Sequence, residues 1–142
     1  HHQPALRALG GDQARDHGPE ATVELALQRW YTEAAQACRP DLMDLTRAWV
    51  LGNKREVYVK LYRILANGVD EIVAPQPPLT IPTLVLTGDE DTGNGPEMGI
   101  AIAEGIPRAR LVILKGLRHM ALAEAPQAVN RPVTDFLTEV LR

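Results

Sequence analysis

Two short apolar runs in the second half of this chain each lead into residues that can handle a proton. The first, Thr83 to Thr87, runs into Asp89, Glu90 and Asp91; the second, Arg110 to Leu114, passes through the turn Lys115 to Arg118 into His119. A carboxylate bonded to one imidazole nitrogen fixes the tautomer and stabilises the charge that develops when the other nitrogen takes a proton from a nucleophile. The spacing thus offers an acid and a base. It does not offer a serine for them to activate, because none of the 142 residues is one. On spacing alone a plainer reading stays open, an acidic solvated turn with an incidental surface histidine.

Other residue types that could do chemistry are placed less well. Cys38, the single cysteine, falls at the end of a helical stretch rather than on a strand-to-helix elbow, and reads as a structural thiol. Thr92 adjoins the acids but also has no elbow. Read as a calcium loop, Asp89 to Ile100 puts Asn94 where a glycine is required and Ile100 where a bidentate glutamate belongs, so no metal site is expected. Gly93, Asn94 and Gly95 precede a helix as in phosphate cradles. Met98 takes the third glycine position and the neighbouring acids repel phosphate, which argues against a nucleotide-binding unit. His1 and His2 read as an expression remnant.

The elements that must position Asp91 and His119 follow from periodicity. Strand, helix (about Pro96 to Gly105) and strand, with both strands continuously apolar, is the pattern of a parallel sheet buried on both faces. In such a sheet both strand ends point the same way, so the acidic loop and the histidine loop converge on one edge. A final helix, about Pro126 to Leu141, aligns Val129, Val133, Phe136, Leu137, Val140 and Leu141 on one face, with Pro132 expected to bend it or delay its start. Two strands leave open edges of unpaired backbone, so further sheet is expected from an upstream segment, a partner or a second copy.

Ahead of the strands lies a helical module. Val23, Leu27, Trp30, Tyr31 and Ala34 recur at helical spacing through Ala21 to Ala37; a second helix starts at Pro40 and stops at Gly52 and Asn53; a third runs from about Lys54 to Ala66, closed by Asn67 and Gly68. Both tryptophans and all three tyrosines fall here. Trp30, Tyr31 and Trp49 are candidates to line a substrate cavity, although aromatic residues at such spacing are commonly core. The boundaries are a terminal loop over 1–19, the helical module over 20–74, a proline-rich linker over 75–82 and the strand-bearing section over 83–142.

Bulk properties exclude some partners. A net charge of −3 with scattered Lys and Arg gives no footprint for nucleic acid. No apolar run approaches the roughly 18 residues of a membrane span, and no signal segment opens the chain, so a soluble protein without membrane partners is expected. One cysteine excludes an internal disulfide and fits a reducing compartment, the cytoplasm by default.

Ile81 to Phe136 resembles the C-terminal part of α/β-hydrolase fold enzymes, in which a strand is followed by G-x-x-D and Pro, then a helix, a strand and G-x-G-H. Here these are Gly88, Asp91 and Pro96, then Gly116 and His119, followed by Glu124, Ala125 and Pro126. The stretch Arg29 to Leu42 is similar to the cap of the 3-oxoadipate enol-lactonase-like branch. The resemblance implies a partial α/β-hydrolase fold, a helical cap plus the C-terminal strand-helix-strand-helix of a parallel sheet. By the same resemblance Asp91 is the triad acid, His119 the general base, and Asp89 and Glu90 solvated neighbours. The implied substrate is a small ester or enol-lactone, with no cofactor. The family order places a G-x-S-x-G nucleophile elbow, and the oxyanion-hole donors, upstream of residue 1, so the isolated chain is expected to be inactive. Arg118 stands where the family has a small residue, and a cation there is expected to disfavour the imidazolium and crowd the base. The alternative is a non-catalytic module that associates with a partner or itself through its helices and open sheet edge.

Overall fold

The computed structural model describes residues 18–67 and 77–142. Residues 1–17 of the terminal loop expected over 1–19, and residues 68–76, including the start of the proline-rich linker, lie outside them; Pro19 already belongs to a 3-10 turn, and residues 77–82 carry neither helix nor strand.

A 3-10 turn, Pro19–Ala21, leads into α1, Val23–Trp30, and α2, Glu33–Cys38. The single helix expected over Ala21 to Ala37 is therefore two. Tyr31 is extended (φ −114°, ψ 149°), and Thr32 restarts the helix as an N-cap, its hydroxyl accepting from Ala35 N at 3.1 Å. A threonine with Glu33 behind it is a start signal that the apolar stripe concealed. Helix α3, Pro40–Leu51, begins and ends as its Pro40 and Gly52 predict, and α4 spans Arg55–Asn67.

These helices share a core of Val23, Leu27, Tyr31, Ala35, Leu42, Met43, Val50 and Tyr58. Its polar groups are satisfied inside: Tyr31 Oη lies 2.7 Å from Thr46 Oγ1, and Tyr58 Oη lies 2.8 Å from Thr22 Oγ1. Burial raises the Tyr62 hydroxyl pKa, as does its hydrogen bond with Tyr58.

The second unit is β1 (Thr83–Gly88), α5 (Pro96–Glu104) and β2 (Ala109–Leu114), followed by α6 (Ala121–Glu124) and α7 (Pro126–Val140). The strands pair in parallel from Thr83 opposite Ala109 to Gly88 opposite Leu114, a two-stranded sheet among the described residues. Side chains alternate across the sheet. On one face, Thr87 and Leu111 meet α5, which approaches closely because Gly99 has no Cβ to press on them. On the other, Leu86 and Val112 pack with Val129 of α7 around Leu114, Leu117 and Ala121.

The strands were expected to be fully buried; apart from Gly88 and Leu114 they are half-buried, Arg110 more exposed still. Among the described residues one helix per face cannot seal a sheet whose two edges are both open. The same shortage explains α7: Val129, Val133 and Phe136 are half-covered, but Leu137 and Leu141, expected to face inward, are 46% and 81% exposed. Pro132 does not delay the start of α7, which begins at Pro126 and continues across it. No described helix is long and apolar enough to cross a membrane.

Candidate functional site

The two strand ends are brought together by backbone. Asp89 N donates to Leu114 O at 3.0 Å and Glu90 N to Leu117 O at 3.1 Å, so the acidic loop continues the pairing of the sheet past Gly88. A side chain at Gly88 would collide with the Leu117 carbonyl. Opposite, Gly116 takes a left-handed conformation (φ 66°), and its N–H donates to Asp89 Oδ1 at 2.6 Å. Asp89 is therefore not a solvated neighbour: it pins the turn that leads to His119. Glu90 lies 3.5 Å from the Arg118 guanidinium.

Asp91 sits where this frame aims it. Its Oδ1 accepts the N–H groups of Gly93 at 2.8 Å and Asn94 at 2.9 Å, closing a tight acidic turn. Its Oδ2 lies 2.9 Å from His119 Nδ1. The Asp91 side chain is only 7% exposed, and burial alone would raise its pKa; the Asn94 N–H, the His119 ring and the Gly93 N–H outweigh this and hold it below the ordinary value. An ionised carboxylate can only accept, so His119 Nδ1 carries the proton and Nε2 is left as the basic nitrogen. The imidazole is 40% exposed.

Of the three aromatic candidates, Trp30 stacks on His119, ring centroids 6.0 Å apart and planes at 30°. Tyr31 is wholly buried in the helical core and offers no surface to a ligand. Trp49 is 55% exposed on α3, its carbonyl taken by Asn53. Cys38 is exposed at the end of α2. Among the described residues no cluster of three or more His, Cys, Asp or Glu could hold a metal ion.

Arg118 does not crowd the histidine as expected. Its side chain reaches away to α1, where one terminal nitrogen donates to Gln28 O at 3.0 Å and Tyr31 O at 2.9 Å. Sequence reasoning also gave Glu124 no physical role. From α6 its carboxylate accepts the Thr32 N–H at 3.1 Å and the Thr32 hydroxyl, tying the strand-bearing unit to the break between α1 and α2. The Thr32 cap was the available signal for such an acceptor. A cleft of about 520 Å³ opens beside these ties, lined by Thr32, Glu33, Ala34, Glu90, Gly116, Arg118 and Glu124. Neither Asp91 nor His119 lines it.

The α/β-hydrolase family whose description is TAP-like protein has a model that matches residues 63–140, more than half of the chain. The chain belongs to the α/β-hydrolase family. Among solved members, it is similar to the enol-lactonase from Burkholderia xenovorans, with 27% identity and a TM-score of 0.83 over 95% of this chain and 51% of that one. A thermophilic esterase from Thermogutta terrifontis matches with 25% identity and a TM-score of 0.78, over 97% of this chain and 50% of the esterase. Among curated relatives is the (E)-2-((N-methylformamido)methylene)succinate hydrolase of Acinetobacter baylyi, 26% identical over 115 residues, which are 81% of this chain and 43% of that enzyme. The chain spans about half the length of these hydrolases. Its helices and two-stranded sheet are thus a part of the α/β-hydrolase fold.

Proposed function

We propose that this chain supplies the acid and the base of an α/β-hydrolase that opens a small ester or enol-lactone. The observation that carries the reading is the 2.9 Å contact between Asp91 Oδ2 and His119 Nδ1 at the ends of two parallel strands, with the other carboxylate oxygen already committed to backbone. The relatives' descriptions, an enol-lactonase and an esterase, support the substrate class.

In this reading a serine from sheet outside these 142 residues attacks the substrate carbonyl, and its proton passes to His119 Nε2. Asp91 holds the ring and offsets the imidazolium charge. The proton then goes to the departing alkoxide or enolate oxygen as the acyl–oxygen bond breaks. Water, deprotonated by the same nitrogen, releases the acid and restores the serine. The helical module over 20–74 acts as a cap, with Trp30 lining the substrate side of His119, and residues 83–142 form the catalytic section beyond the linker at 75–82. Cytoplasmic residence fits the lone, exposed Cys38.

The test is to join the chain to the half of the enol-lactonase relative that it does not match and assay an activated ester and an enol-lactone. The expected result is hydrolysis that His119→Ala and Asp91→Ala each abolish; hydrolysis that survives either change would sink the assignment.

The half-covered sheet, with Ile100 and Ile102 exposed on α5 and Leu137 on α7, favours a second reading, an association module that does no chemistry. Its sedimentation would show self-association or capture of a sheet-bearing partner, and the fused protein would show no His119-dependent turnover.

A further inference from the structure

The last carbonyls of α1 have no partners within their own helix, as at any helix end. Here the loop that carries His119 takes them. The Met120 N–H donates to Trp30 O at 2.9 Å, and one Arg118 terminal nitrogen donates to both Gln28 O and Tyr31 O, at 3.0 and 2.9 Å. His119 is therefore gripped through both of its chain neighbours by a single helix terminus. Gln36 Nε2 adds a further donor to Tyr31 O at 2.9 Å. A cation on helix-terminal carbonyls is also favoured by the helix dipole, and Glu90 balances its charge from the opposite side. The consequence is geometric: with both neighbours fixed to α1, the ring of Trp30, its last residue, lies over the imidazole.

We propose that Arg118 is a positioning residue that locks the His119 loop onto the C-terminal end of α1 and so fixes the imidazole between Asp91 and Trp30. The helical module then sets the base directly, and a displacement of α1 would displace His119 with it. That consequence for catalysis rests on the reading of His119 as the base; the clamp itself does not.

The test reads geometry in the 142-residue chain by NMR. The His119 ring protons are expected to carry a ring-current shift from Trp30, which Trp30→Leu identifies by removing it. In Arg118→Ala, and in Arg118→Met, which keeps the bulk of the stem, that shift is lost and the Met120 amide exchanges at least about tenfold faster, the scale of one charge-assisted hydrogen bond. Arg118→Lys restores most of both, because one nitrogen makes both bonds to α1. A folded Arg118→Ala or Arg118→Met with an unchanged His119 shift and unchanged Met120 exchange overturns the proposal. If neither truncation folds, the unsubstituted chain decides: scalar couplings from the Arg118 terminal nitrogen to the Gln28 and Tyr31 carbonyl carbons support the clamp, and their absence overturns it. None of these readouts needs turnover. An inactive fusion in which the Arg118 truncations still lose both signatures counts against the catalytic reading alone, and truncations that leave both signatures unchanged count against the clamp alone.

Discussion

Asp91 holds His119 Nδ1 at 2.9 Å with one carboxylate oxygen while the backbone of Gly93 and Asn94 holds the other, so the carboxylate is fixed at both oxygens. The loop and the dyad share one side chain. Asp91→Asn separates these roles, because the amide oxygen can still accept from Gly93 and Asn94 while its NH₂ cannot accept from Nδ1–H. The imidazole must then take the other tautomer or lose the bond. In the fused hydrolase, kcat is expected to fall about 10⁴-fold, with a modest drop in the thermal midpoint at neutral pH as the contribution of the ionised carboxylate is lost. Steady-state kinetics and a melting curve check both halves of this outcome.

The same carboxylate makes stability depend on pH in a stated direction. Its pKa is held below the ordinary 3.8 in the folded chain, so the folded state favours the ionised form. The contribution is complete above the unfolded pKa and is lost as pH falls through the folded one, beginning below about pH 5. Urea titrations from pH 7 down to pH 2.5 are expected to show falling stability, with a shallower fall in Asp91→Asn. Equal slopes in the two proteins would contradict the assignment.

Much of this arrangement is legible in the sequence because it is local. The apolar runs end at Gly88 and Leu114, and parallel pairing then forces Asp91 and His119 toward one edge. What periodicity could not show is where long side chains land. The Arg118 position suggests a cation pressed against the histidine, yet its guanidinium is on carbonyls 87 and 90 residues away in sequence. Asp89 and Asp91 are equivalent by composition; the register of Gly116 sends one to a turn and leaves the other for His119. The break at Tyr31 was hidden for a different reason, since the apolar stripe continues through it while the Thr32 cap interrupts the backbone.

Gly88 tests the crossing of the two loops. Gly88→Ala would press a methyl group onto the Leu117 carbonyl, and backbone on both sides leaves little room to yield. A loss of about 3 kcal/mol or more is expected, the upper range for overpacking. Gly116→Ala has open space for the methyl group and pays only for its left-handed backbone, about 1–2 kcal/mol. Chemical denaturation of the two variants checks the order, Gly88 above Gly116.

Trp30 and Tyr31 are neighbours with opposite expected phenotypes. Tyr31 is fully buried and its hydroxyl bonds Thr46, itself only 1% exposed, so Tyr31→Phe strands a buried hydroxyl and is expected to lower stability by about 1–2 kcal/mol. The His119 ring environment should stay as it was. Trp30→Ala removes the ring stacked on His119. In the fused hydrolase it is expected to raise KM several-fold, because Trp30 lines the proposed cavity on the substrate side of the base. A Tyr31→Phe variant with unchanged stability and a raised KM would return Tyr31 to the substrate cavity and require the helical module to open in the assembled enzyme.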